Sequence, residues 1–197
     1  MCTRALVLAF FVSASLVACA PRGERVVVAM AQREPGPDAI DVPVLRAEGE
    51  ALFAGRGGCH TCHRVDDRGT RYTGPNLGID PLCATDPTSL TARDPVACLP
   101  LSQRASARHA GRTPIEYALE SILDPDLVVT PTYAKSVMKR QDLPPVSLTD
   151  REVLALATYV ATLRTPAGLT ASMPDLAAFM DATRRARDLR LEAAPPH

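Results

Sequence analysis

The stretch Cys59-His60-Thr61-Cys62-His63 constrains this chain more than any other part of it. Two residues between thiols span one helical turn, so both sulfurs reach the same side of a flat macrocycle. The next residue then offers an imidazole to the same place. A C-x-x-C-H run of this kind reads as the attachment site of a c-type haem, with the thiols adding across two vinyl groups and the histidine serving as proximal ligand. The competing readings are a disulfide or redox pair, and a zinc site using Cys59, Cys62 and His63. The motif occurs once, which predicts one covalent haem c and excludes a dihaem peroxidase.

The N-terminus favours the haem reading, because it carries an export signal. Met1-Cys2-Thr3-Arg4 is a short positive start, and Ala5 to Ala18 is an apolar run. That run falls short of the ~20 residues a bilayer span needs and suits a signal-peptide core. Leu16-Val17-Ala18-Cys19 resembles the lipobox of bacterial lipoproteins, which would make Cys19 the acylated first residue of the mature chain. Cleavage after Ala20 is the alternative, and it would leave Pro21 at the new terminus, a poor context for ordinary signal peptidase. The expected location is the periplasmic side of a bacterial membrane, lipid-anchored, with a soluble periplasmic form as the alternative. Residues 1–18 are then the signal peptide. Residues 19–43, broken by Pro21, Gly23, Pro35, Gly36, Pro37 and Pro43, are a tether with too little apolar surface to fold alone.

The remaining length suits one domain with extensions. The chain has 197 residues, with 22 basic against 22 acidic side chains, and that balance argues against a general nucleic-acid binder. Eighteen prolines rule out a long coiled coil. Two capping boxes mark helix starts: Thr113-Pro114-Ile115-Glu116, and Thr149-Asp150-Arg151-Glu152 with Leu148 and Val153 placed as a hydrophobic staple. The first opens an apolar stripe of Ile115, Leu119, Ile122 and Leu123. The second opens one of Val153, Leu156, Ala157, Val160 and Leu163.

Residues 44–164 together resemble a class I cytochrome c, a small all-α electron-transfer protein with helices wrapped around one covalently bound haem. Gly49-Glu50-Ala51-Leu52-Phe53 matches the family's N-terminal helix, and Tyr159 the aromatic of its C-terminal helix. Gly74-Pro75-Asn76-Leu77 follows His63 at the family distance. The resemblance implies that the Pro75 carbonyl accepts the His63 Nδ1–H and that Leu77 packs on the haem face. It also implies a sixth iron ligand on the irregular segment before the C-terminal helix, where Met138 lies. Met30, Met173, Met180 and His109 are the other candidates, and core filling is the bland alternative for Met138.

This chain departs from short family members between about residues 78 and 112. Loops of that length tend to be functional or braced. Cys83 and Cys98 are the thiols left in the domain once Cys59 and Cys62 hold haem. A bridge between them would close a loop of about 15 residues and contribute on the order of 3 kcal/mol in the chain-entropy model. The insertion's charges, Arg93, Arg104, Arg108, His109 and Arg112 among them, read as a solvated, mildly basic surface. Residues 165–197 form a tail with a candidate short helix from Pro174, bearing Leu176, Phe179, Met180 and Leu191.

With His63 and Met138 on opposite sides, no iron position is open, which predicts single-electron transfer between membrane-associated or periplasmic oxidoreductases rather than enzyme chemistry. The alternative is a haem c subunit, or a ligand-sensing or docking module, of a larger respiratory complex. Lys135, Lys139, Arg140 and Arg151 against Asp142 and Asp150 leave a surplus of two positive charges, and with Arg56 and Arg64 beside the haem motif they predict a basic rim for redox partner proteins.

Overall fold

The computed structural model describes residues 40–69, 73–78, 95–99, 101–131, 133–163 and 171–194. The leader with Cys19, the tether through residue 39 with Met30, and residues 79–94 with Cys83 lie outside the described residues. Among the described residues, five α-helices form the frame: α1 Val42–Ala54, α2 Leu101–Arg108, α3 Pro114–Leu123, α4 Asp150–Ala161 and α5 Met173–Ala193. Short 3-10 turns cover Cys59–Thr61 and Pro95–Cys98. One antiparallel hairpin, β1 Arg64–Val65 with β2 Arg68–Gly69, pairs Arg64 with Gly69 and Val65 with Arg68.

Helix starts follow the sequence signals. Thr113 and Thr149 each complete a capping box with Glu116 and Glu152, and Leu148 and Val153 are both buried beside the second. The start of α1 differs from expectation. Pro43, the expected last residue of the tether, sits in the first turn, and the Asp41 carboxylate accepts from Val44 N at 3.1 Å. A proline there loses no hydrogen bond, because the first amides of a helix have no partner within it.

α1 crosses α4 at very close range. A Cβ on Gly49 would overlap the carbonyl of Ala155 and lie 2.7 Å from Tyr159 Cβ. One turn further, the rings of Phe53 and Tyr159 meet with centroids 5.5 Å apart, tilted at 54°, a favourable aromatic arrangement. α4 is buried almost all round, from Val153 to Ala161. α3 packs against it, and α5 packs against α3.

The tail helix is longer than the short helix expected: α5 runs 21 residues. Ser172 caps it by accepting from Asp175 N, and Leu176, Met180, Thr183 and Arg187 form its buried stripe. Leu191, expected on that stripe, is exposed.

Alanine is favoured over glycine inside a helix by about 1 kcal/mol on propensity alone. Gly49→Ala is nevertheless expected to destabilise the haem-loaded protein by roughly 1–3 kcal/mol, because the added methyl must push α1 off α4. Chemical denaturation reads the sign directly, and a stabilised variant would show that the crossing has room to spare.

Candidate haem site

The haem motif follows directly on α1. Gly58 enters it at φ 63°, a left-handed conformation that suits glycine. The Cys59 carbonyl then accepts from Cys62 N at 3.1 Å and His63 N at 2.9 Å. The chain therefore makes the single tight turn that the spacing required, and both thiols lie half-buried and free. Burial pushes the Cys59 thiol up to about 11, helped slightly by Cys62 and opposed by a backbone hydrogen bond. A thiol held protonated is a poor redox nucleophile. Among the described residues, no three His, Cys, Asp or Glu side chains gather as a metal-binding cluster.

His63 is fixed from two sides. Its Nδ1 lies 2.9 Å from the Pro75 carbonyl oxygen, which assigns the proton to Nδ1 and leaves Nε2 with its lone pair. Gly74 lies flat against the ring: a Cβ there would come 2.7 Å from Nδ1 and 2.9 Å from Nε2. Burial lowers the His63 pKa. The Pro75 hydrogen bond opposes that shift, and the charge of Arg104 adds to it. A neutral imidazole is the form that binds metal.

The segment holding Pro75 is itself anchored. Asn76 is fully buried, donates to Asp66 O at 2.7 Å, and accepts from Asp66 N at 3.1 Å and Gly78 N at 3.0 Å. That ties Gly74–Gly78 to the hairpin turn. Arg104, on α2, donates to the Asn76 carbonyl and, at 2.5 Å, to the Leu99 carbonyl. At 1% exposure, Arg104 is not part of a solvated basic loop, and the expectation fails there. Its guanidinium faces inward from α2 and lines the same cavity as His63.

Met138 is half-buried and packs against the core. It lies on the irregular chain between α3 and α4, two residues after Ser136. Ser136 has φ 60°, and its N and Oγ donate to the two oxygens of Asp126 at 2.6 and 2.9 Å. Among the described residues, the rival candidates lie elsewhere, with Met173 at the start of α5. Met180 is buried on α5, and His109 Nδ1 lies 2.9 Å from Glu120, which also pairs with Arg112.

Cys59, Cys62, His63, Pro75, Leu77 and Met138 line one cavity of about 400 Å³. Phe53, Tyr117, Ile122, Leu156 and Val160 make its remaining walls largely apolar. Two thiols at haem spacing, a neutral imidazole with a free Nε2, a thioether and greasy walls are a donor set that fits a covalently held haem.

Residues 46–164, more than half of the chain, match the family model described as cytochrome c. The chain belongs to the cytochrome c family. A comparison with curated proteins finds no match. The cofactor of this cytochrome c is therefore covalently bound haem c, with Cys59 and Cys62 in its attachment motif.

The basic rim needs correction. Arg56 pairs with Glu152, Arg140 with Asp142 at 2.7 Å and Arg151 with Glu48 at 2.8 Å. Each of these cations is answered by a neighbouring acid, which leaves less field to steer a partner. Two groups at the site escaped sequence reasoning, Arg104 and Asp126. Their partners are 28 and 10 residues away, and neither belongs to a local motif. Gly74 and Asn76 were visible within the quoted run, although their roles were not.

Arg104→Ala is expected to cost roughly 2–4 kcal/mol, since it strips buried carbonyls of a charged donor. Arg104→Lys should rescue it only in part, because an ammonium lacks the planar fork that reaches two carbonyls at once. Urea denaturation of the two variants measures this. A change within about 0.5 kcal/mol would return Arg104 to the status of a surface residue.

Proposed function

We propose that this cytochrome c is a class I monohaem electron carrier, with His63 and Met138 as axial ligands and a lipid anchor at Cys19 on the periplasmic face of a bacterial membrane. The observation that carries it is that His63 and Met138, far apart in sequence, line the same apolar cavity as both cysteines. The haem supplies a one-electron couple. Cys59 and Cys62 hold it covalently, so it stays bound in both oxidation states. Pro75 and Gly74 fix the tautomer and plane of His63, and Leu77 packs at the cavity wall. Met138 completes a thioether–imidazole pair, which raises the potential relative to a bis-histidine site. With both sides taken, substrate finds no iron position, and the chain's task is to keep geometry constant while charge changes.

Cys83 and Cys98 are proposed to brace the insertion as a disulfide. In support, the free thiols among the described residues are Cys59 and Cys62, and Cys98 is not one of them. The partners are redox proteins that donate and accept single electrons, approached through the segment around Met138, where Lys135, Val137, Lys139 and Leu143 are exposed.

Met138→Ala tests the iron site. Haem should stay attached, because Cys59 and Cys62 are untouched, while the Fe–S charge-transfer band disappears and the potential falls. The reduced variant should bind carbon monoxide where the parent resists it. A parent that binds carbon monoxide readily would favour the ligand-sensing alternative, and a variant that keeps the band would exclude Met138 as ligand.

Acylated Cys19 predicts that the protein partitions into membranes and leaves only with detergent, since several acyl chains on one residue anchor stably where a single chain does not. Cys19→Ala should abolish lipid modification. Mass spectrometry that finds an unmodified mature terminus at Pro21 would rule out the anchor.

A further inference from the structure

The arginines of the tail remain without a role in the function proposed above, and three of them, at 184, 187 and 190, reach the chain that carries Met138. That chain runs from the end of α3 to the start of α4, and α5 touches both of its roots. At the first root, Arg187 is buried and donates to the Leu123 carbonyl at 2.9 Å, at the C-terminus of α3. Arg190 pairs with Asp124 beside it. Asp126, two residues on, holds Ser136 through both carboxylate oxygens. At the second root, Arg184 reaches Asp142 at 3.4 Å and Asp150, the first residue of α4, at 2.6 Å. The Asp142 carboxylate is 8% exposed and is also gripped by Arg140 at 2.7 and 3.0 Å.

We propose that α5 is a strap over the Met138 segment, in which Arg184, Arg187 and Arg190 hold both of its roots and so act as positioning residues for Met138. α5 lies wholly beyond the region matched to the family, so this device belongs to the present chain's extension. The proposal rests on the reading of Met138 as the sixth ligand.

Three features make the strap more than a set of surface ion pairs. Two of its acceptors, Asp124 and Asp142, are largely buried, and buried partners lose more when a charge is removed than exposed ones do. Burial alone would raise Asp142, yet hydrogen bonds from Arg140 and the charges of Arg140 and Arg184 bring it below the usual carboxylate range. It therefore stays ionised and available at neutral pH. Finally, Ser136 is held in a left-handed conformation that a non-glycine residue keeps only when its surroundings over-determine it. Release of the first root would let that strain relax, two residues from Met138.

The test uses the full-length, haem-loaded, oxidised protein and imidazole, which competes with the thioether for iron. Arg184→Gln with Arg190→Gln should raise the apparent imidazole association constant by roughly tenfold, about 1.4 kcal/mol, with haem content and helix content unchanged. Arg184→Gln alone should give a smaller rise of the same sign. Thr113→Ala serves as the control, since it lowers stability by removing the cap at the start of α3, at the opposite end of that helix from the strapped root, and it should bind imidazole as the parent does. Strap variants with parental affinity, or a Thr113→Ala variant that binds as tightly as they do, would overturn the proposal. Met138→Ala separates the two readings: if it binds imidazole no better than the parent, Met138 is not the ligand and both fall. If it binds better while the strap variants do not, only the strap falls.

Discussion

The close approach of α1 to α4 at Gly49 sets the position of almost everything else. Because only a hydrogen atom separates the helix from the Ala155 carbonyl, the two axes are locked in register, and Phe53 meets Tyr159 one turn later. The haem motif begins five residues after α1 ends, and a tight turn through Gly57 and Gly58 leaves it little freedom. At the same junction Arg56 donates to the Val146 carbonyl at 3.1 Å and pairs with Glu152 in the cap of α4. One helix crossing thus sets the haem motif relative to α4 and to the end of the Met138 segment. The cysteines and the Met138 segment share a single mechanical reference.

The parts of this arrangement that were legible in the sequence are those with local grammar. C-x-x-C-H, the two capping boxes, the staple of Leu148 and Val153, and the apolar stripes all depend on residues within one or two turns of one another. Their physics can be read without knowing where the chain goes next. The Pro75 contact was legible because a family resemblance supplied the long-range pairing. Arg104, Asp126 and the arginines of α5 were not legible. The arginines are long side chains whose partners are carbonyls or carboxylates, and Asp126 accepts from the Ser136 N–H and hydroxyl; the finished fold brings these partners together. By composition alone such residues look like solvated surface, as do most arginines. The same limit explains part of the rim: charges were counted along the chain, whereas the pairing of Arg56 with Glu152 and of Arg151 with Glu48 happens across it.

The polar architecture around the apolar site is layered. Asn76 satisfies the hairpin turn, Arg104 satisfies the Asn76 carbonyl, and the Pro75 carbonyl, one residue away, is kept for His63. Buried networks of this kind are stabilising only when every member is satisfied. Along the Met138 segment the same logic uses carboxylates, with Asp126, Asp124 and Asp142 each answering a named donor. The aliphatic core supplies most of the burial, and these contacts decide where the segments that carry His63 and Met138 stop.

Arg104 has a consequence for how the insertion can change over time. Surface loops ordinarily gain and lose residues freely, because their side chains serve nothing inside. Once a loop lends an internal donor to its host, deletion strands the acceptors it satisfies. The helix that carries Arg104 is in this respect part of the wall of the site, and it cannot be trimmed as an ordinary surface loop can.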